Sequence, residues 1–272
     1  MHSSQVTTTR IAGPAGEIAV YLQGDERAPG VLMAHSILSS SVMWEAQAAL
    51  LAERGLRVVR ADTRGHGASQ PVVAPCTMDD LAADSVAVLD ALGIEAAHYV
   101  GLSLGGMSGF GLGLHHAERM LSLCLCDCRA DAPPAFAAPW DERIAAAERD
   151  GCQALAAATI ERWFGKPFVD AQPDIARRFM ALAAGTSVPG FVGCARAIQG
   201  LDYIAAVGGI ELPVTFIVGA NDSVLPAAMR ELQSRLPQAV LELIADAGHL
   251  PPIDQPAAFD AALLRHFDRV AS

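Results

Sequence analysis

The sequence predicts an α/β protein: a mostly parallel sheet flanked by helices, with an inserted helical cap. Three observations carry that expectation. Short apolar runs alternate with longer amphipathic ones from the amino end onward. The short runs are apolar throughout rather than at every second residue, as strands covered on both faces must be. Between Ala130 and Gly208 the alternation gives way to alanine-rich helical segments, the mark of an insertion.

The elements follow in order. EIAVYLQG alternates weakly and reads as an antiparallel edge strand; GVLMAH is the first parallel strand, followed by a helical pattern from Val42 to Arg54. LRVVRAD, the helix TMDDLAADSVAVLDALG and the strand AAHYVGL come next, then a helix through about His115 and the strand MLSLCLCD. PVTFIVG and AVLELI continue the strand pattern toward the carboxyl end. The intervening segment is broken by APP, GKPF, QPD and SVPG and carries Trp140, Trp163, Phe164, Phe168, Phe179 and Phe191. So many large apolar residues outside a sheet predict that the segment lines a cavity. The expected division is a core of residues 1–130 and 207–272 and a cap of residues 131–206.

Composition excludes several classes of function. With 52% hydrophobic and 18% charged residues, the chain has material for a large core without disulfide staples. The net charge of −11, from 30 acidic residues against 19 Lys and Arg, lacks the footprint that grips phosphate backbones, so no nucleic-acid partner is expected. MHSSQVTTTR has no apolar core of a secretory signal, and the apolar runs are far shorter than the ~20 residues of a membrane helix. The expectation is a soluble cytoplasmic protein with no membrane partner; its oligomeric state is left open. Of the six cysteines, Cys124, Cys126 and Cys128 alternate along LSLCLCDC, where period two sets them on one face as small buried residues rather than metal ligands.

The chemistry centres on HYVGLSLGGMSGF, in which Ser103 stands between Gly101 and Gly105. G-x-S-x-G after an apolar strand run and before a helix is the context of a nucleophile elbow, where a sharp turn crowds side chains and small residues let the serine stand clear. A serine hydroxyl needs a base, and the base needs an orienting group. His249 lies in ADAGHLPPIDQP just after AVLELI, and Asp222 in VGANDSVLP just after PVTFIVG. The order Ser, Asp, His, each at the end of a successive strand, is that expected of α/β-hydrolases. Asp127, which closes MLSLCLCD, is a rival acid; Asp222 is preferred because its loop has room to bend. The oxyanion donors are expected at the backbone N–H groups of Leu104 and of Ile37, the latter in the loop HSILSSSVMW. In many α/β-hydrolases that loop opens His-Gly, so Ser36 is a departure.

ADTRGHGAS, TMDDLAADSVAVLDALGI, GLSLGGM, ERWF and AGHLPPIDQP together resemble the 3-oxoadipate enol-lactonase branch of the α/β-hydrolase fold over nearly the whole chain. Ser36 fits that branch, whose loop reads Asn-Ser-Leu-Gly before a Met-Trp pair, matched here by Met43 and Trp44; His35 and Leu38 differ. Where the branch tends to have Ser-Asn-Thr, this chain has Cys126, Asp127 and Cys128. The resemblance implies the α/β-hydrolase fold with a mostly parallel eight-stranded sheet, a triad of Ser103, Asp222 and His249, no metal and no organic cofactor, and a lactone carrying a carboxylate as substrate. It gives His66 and Arg64 a structural role, bracing neighbouring loops. His115 and His116 are expected to cap the carbonyls of the elbow helix. An acidic protein that binds such a substrate needs cations at the cap, which offers Arg143, Arg149, Arg162, Lys166, Arg177, Arg178 and Arg196; Arg162, beside Trp163 in ERWF, is preferred for the substrate pocket. Two further enzymatic readings use the same triad, a broad carboxylesterase and an acyltransferase or perhydrolase, and a third reading is a small-molecule receptor on a hydrolase fold.

Overall fold

The structure is a computed structural model that describes residues 5–72 and 75–271. The first four residues of MHSSQVTTTR therefore lie outside the described residues. Eight strands form one sheet: β1 (Thr7–Ala12), β2 (Glu17–Gln23), β3 (Gly30–Ala34), β4 (Arg57–Ala61), β5 (Ala97–Leu102), β6 (Met120–Cys126), β7 (Val214–Gly219) and β8 (Val240–Ile244). Their spatial order is β1-β2-β4-β3-β5-β6-β7-β8. β1 and β2 are antiparallel, and every pairing from β4 to β8 is parallel.

Burial follows the apolar runs. All six residues of β7 are buried, because the strand is paired on both edges, with β6 and β8, and covered on both faces. β8 is a terminal strand and leaves Val240 and Leu243 exposed. The expectation that EIAVYLQG forms the edge is corrected here: β2 lies one strand in, and the edge is β1, TTTRIA. β1 escapes a reading by pattern because its residues are mostly exposed and only Ile11 is buried, so its pairing with β2 rather than its own burial makes it a strand.

Helices α1 (Glu45–Glu53), α2 (Met78–Ala91) and α3 (Leu104–His115) follow β3, β4 and β5. The helix expected from Val42 begins as a 3-10 turn over Ser41–Trp44 and becomes α-helical at Glu45. α2 opens with a capping box: Thr77 Oγ1 accepts from the Asp80 N–H, and the Asp80 carboxylate accepts from the Thr77 N–H, satisfying two donors that the first turn leaves free. Between β6 and β7 the chain forms six helices: α4 (Pro134–Ala137), α5 (Pro139–Asp150), α6 (Gln153–Phe164), α7 (Lys166–Ala171), α8 (Pro173–Gly185) and α9 (Val188–Gln199). The helices α10 (Leu225–Arg235), α11 (Pro251–Asp254) and α12 (Pro256–Val270) complete the chain. Among the described residues no single helix is long and apolar enough to cross a membrane; α8 and α9, which together have the length, are bent by 94°.

The described cysteines are all free and buried, and Cys124, Cys126 and Cys128 pack in the core as the alternation predicts. Among the described residues the His115 ring bonds no helix carbonyl; its Nε2 lies 3.6 Å from Asp79 Oδ1 and its ring meets Tyr203, while His116 closes α3 through its backbone N–H to Leu112.

Two other histidines are held neutral in the interior. His266 bridges Ser122 Oγ at 2.9 Å and Thr215 Oγ1 at 2.7 Å, tying α12 to β6 and β7. Burial, followed by the charge of Arg269, lowers it to about 3, and burial together with His35 lowers His66 to about 3. A folded-state value below the unfolded one means that stability is complete above about pH 6.5 and lost as pH falls toward 3, because the unfolded chain binds the extra proton. Urea unfolding of the wild type and of His266→Gln should therefore differ in pH dependence: between those limits the variant's stability should fall less steeply, by up to about 1.4 kcal/mol per pH unit. Parallel curves would show that His266 takes up a proton as readily in the folded protein as in the unfolded chain.

Candidate active site

The carboxyl ends of β3, β5, β6, β7 and β8 run into the loops that carry Ile37, Ser103, Asp127, Asp222 and His249. Parallel strands place those ends on one side of the sheet, which is why residues far apart in sequence meet there. Ile37, Ser103, Trp163, Asp222 and His249 line one cavity of about 380 Å³, a size suited to a small molecule.

The turn between β5 and α3 is strained. Ser103 has φ 56° and ψ −111°, a conformation a side chain rarely adopts, costing of order 1–3 kcal/mol. Hydrogen bonds hold it: the Ser103 N–H donates to Cys126 O at 2.9 Å, the Gly105 N–H to His35 O at 3.2 Å, and Tyr99 Oη–H to Gly105 O at 2.8 Å. The flanking glycines are required by space. A Cβ on Gly105 would lie 2.5 Å from Ala34 O, and one on Gly101 would lie 2.3 Å from Gly105 O. α3 thus packs directly on the end of β3, and the N–H of Leu104 stands at its first turn with no acceptor among the described residues.

The facing loop is set by His35. Its Nδ1–H donates to Ser36 O at 2.8 Å, and its Nε2 accepts from the Thr63 N–H at 2.8 Å, so one neutral tautomer satisfies both. Burial lowers its pKa and favours that neutral form. Because C=O and N–H point opposite ways across a trans peptide, anchoring Ser36 O turns the Ile37 N–H away from His35. That N–H also has no acceptor among the described residues. His66 packs its ring 5.5 Å from that of His35 and bonds Arg64 O, while Arg64 pairs with Asp84 at 2.7 Å.

His249 and Asp222 are paired: Nδ1 lies 2.7 Å from Asp222 Oδ2, and both side chains are largely buried. The His249 N–H donates to Trp163 O at 2.8 Å, and the two rings lie 6.0 Å apart, so the histidine loop is fastened to α6. With Nδ1 taken, Nε2 is the nitrogen available to a partner in the cavity that Ser103 also lines. Asp127, the rival acid, is fully buried behind this pair; its Oδ1 accepts from the Gly219 N–H at 2.8 Å. The imidazole bonds Asp222, not Asp127.

The seven cations expected at the insertion separate into two groups. Arg149, Lys166, Arg177, Arg178 and Arg196 form ion pairs with Asp150, Asp170, Asp174, Glu45 and Asp141, all with exposed side chains. Arg162 and Arg143 pair with no carboxylate among the described residues, and both line the cavity. Burial, then the nearby charge of Arg143, lowers Arg162 to about 10; burial lowers Arg143 as well. Arg143 stacks on Trp140, 4.6 Å from the ring centroid. The sequence preference for Arg162 thus falls on a cavity residue, and Arg143 was present among the candidates with no local signal to separate it. Arg129 also lines the cavity but is engaged with Asp131 at 2.7 Å.

Residues 29–256 match the family model described as the alpha/beta hydrolase fold. The chain belongs to the α/β-hydrolase family. Within this family it is 32% identical over 257 residues to 3-oxoadipate enol-lactonase 1 of Acinetobacter baylyi, a match covering 94% of this chain and 95% of the relative. Its fold is similar to that of the enol-lactonase from Burkholderia xenovorans LB400, with TM-score 0.91, 30% identity, and 96% and 100% of the two chains covered. A hydrolase from Pseudomonas aeruginosa PA01 is similar to the same degree, with TM-score 0.91 at 33% identity over 96% of this chain and 98% of that one. The resemblance read from the sequence is to these enol-lactonases, and the matches bear it out.

The packing of this α/β-hydrolase elbow generates one prediction. Gly105→Ala should destabilise the protein by about 1–3 kcal/mol, since the new methyl group meets backbone that cannot rotate away. A denaturation midpoint equal to wild type would mean that α3 is free to lift from β3.

Proposed function

We propose that this protein is a hydrolase of small esters or lactones that works through a serine acyl-enzyme, and that its substrate is a lactone bearing a carboxylate. One observation carries the substrate class: two guanidinium groups, Arg143 and Arg162, stand unpaired in the cavity that contains Ser103, Asp222 and His249. A guanidinium that lines a cavity without a carboxylate bonded to it is free to form a charge-assisted hydrogen bond, and a bound carboxylate supplies the partner. The enol-lactonases among its relatives support the same reading.

The proposed steps follow from the proposed roles. His249 Nε2 takes the proton of Ser103 as its Oγ attacks the lactone carbonyl, and Asp222 keeps the imidazole in the tautomer that leaves Nε2 free. The N–H groups of Ile37 and Leu104 receive the developing oxyanion. The ring C–O bond breaks, the departing oxygen takes the proton from His249, and the opened chain stays attached to Ser103 as an ester. Water, deprotonated by His249, then attacks that ester, releasing the acid and returning the proton to Ser103. In this reading residues 131–206 form a cap over a core of residues 1–130 and 207–272, and Trp163 and Arg162 line the substrate side of the cavity.

Ser103→Ala should abolish turnover and labelling by a fluorophosphonate probe while leaving the melting temperature near wild type. Asp222→Asn should lower kcat by on the order of 10⁴-fold through the wrong histidine tautomer. Stoichiometric labelling of another residue in Ser103→Ala would remove the acyl-enzyme reading; single-turnover behaviour of the wild type would remove sustained hydrolysis and favour a receptor.

The anion contact has its own test. Arg162→Ala and Arg143→Ala should each reduce kcat/KM for a carboxylate-bearing lactone by about ten- to a hundredfold, as expected for a charged hydrogen bond in a cavity. The corresponding neutral methyl ester should be hydrolysed less efficiently by wild type and be little affected by either change. Equal efficiency on both substrates would point to a general carboxylesterase instead.

A further inference from the structure

Asp127 follows the last residue of β6, is fully buried, and has a left-handed backbone with φ 45°. Its Oδ1 accepts from the Gly219 N–H, but its Oδ2 is buried with no hydrogen-bond donor to it. Carboxylate oxygens of Asp127 and Asp222 and a ring nitrogen of His249 lie within 4.8 Å of one another. The ion pair in this cluster joins His249 to Asp222, and Asp127 forms none among the described residues.

An ionised Asp127 would combine two unfavourable features: an unsatisfied buried oxygen and a second negative charge beside Asp222. A proton on Oδ2 removes both, because it neutralises the group and turns an acceptor that lacks a donor into a donor. The acceptor within the cluster is the carboxylate of Asp222. We propose that Asp127 is a neutral carboxylic acid whose Oδ2–H donates to Asp222, making Asp127 a positioning residue for the carboxylate that orients His249.

The surroundings act in the same direction. Burial first, and then the charge of Asp222, push the Asp127 carboxyl well above the usual carboxylate range, with Asp254 adding to the effect from α11 and the Gly219 N–H opposing it. The remaining titratable neighbours are His249 and the thiols of Cys126 and Cys128, both of which burial pushes up and keeps neutral. The inference rests on the proposed roles of Asp222 and His249, but the protonation of Asp127 is measurable without activity.

The test compares the wild-type enzyme with Asp127→Asn, Asp127→Leu and Ser103→Ala. An asparagine keeps both contacts, since its amide N–H donates to Asp222 and its carbonyl accepts from Gly219. It should retain kcat within about threefold, whereas leucine, which donates nothing, should lower kcat about ten- to a hundredfold with KM little changed, Asp127 not being a cavity-lining residue. Infrared spectra at neutral pH should show a carboxylic acid C=O stretch that Asp127→Asn lacks and Ser103→Ala keeps. A spectrum unchanged by Asp127→Asn would overturn the proposal, as would a loss of kcat in Asp127→Asn as large as in Asp127→Leu. A larger loss in Asp127→Asn than in Asp222→Asn would overturn it by making Asp127 the orienting acid itself. If Asp127→Leu does not fold, the infrared comparison and the retained activity of Asp127→Asn still decide. Full turnover by Ser103→Ala would defeat the acyl-enzyme reading while leaving the infrared result on Asp127 standing.

Discussion

A single strained residue organises the site: Ser103 is held at positive φ between β5 and α3. The conformation is unfavourable alone and persists because the chain around it is over-determined. The Ser103 N–H is bonded across to the end of β6, and the Gly105 N–H to the end of β3. α3 is pressed on β3 closely enough that only glycine fits at position 105. The same bonds set the relation between the serine and the two neighbouring strand ends, so one turn determines where three loops meet. His35 extends this control, as its backbone oxygen receives Gly105 while its ring orients the loop carrying Ile37.

Charge is distributed unevenly over the molecule, and the distribution explains more than the net value. An overall charge of −11 would repel an anion, yet two guanidinium groups that line the cavity, Arg143 and Arg162, form no ion pair among the described residues. Five other cations of the inserted helices are matched with acids on the surface, where exposed pairs contribute little. The unmatched pair is the exception, and both of its members line the cavity. On the side of the cavity that holds His249 the balance is reversed: Asp127 and Asp222 lie near the histidine, and the charge of Asp254 reaches Asp127. Such a cluster is tolerable only if the carboxyl groups differ in ionisation or in partners, and the hydrogen bonds differ in that way: Asp222 faces the imidazole, Asp127 the Gly219 N–H, and Asp254 the Gly248 N–H.

Much of this architecture was legible in the sequence because local pattern and tertiary role coincide. Strands covered on both faces must be apolar throughout, which made β3 to β7 readable, and the loops at their carboxyl ends were then identifiable as the places for Ser103, Asp222 and His249. The glycines around Ser103 were readable because the constraint that selects them is a tight turn within a few residues. β1 was not readable: its residues are mostly exposed, and its strand conformation comes from pairing with β2, which the local pattern does not encode.

What the sequence determined by itself was therefore the fold class, the order of the elements and the set of chemically capable residues, all of which follow from periodicity and short-range geometry. Only the tertiary structure decided which members of that set meet. It paired His249 with Asp222 rather than Asp127, since that depends on how two loops bend above adjacent strands. It separated Arg143 and Arg162 from five chemically similar cations, since a helical arginine faces a cavity or solvent according to how its helix packs. It left Asp127 buried with one oxygen unmet, because desolvation and hydrogen-bond satisfaction arise from neighbours distant in the chain.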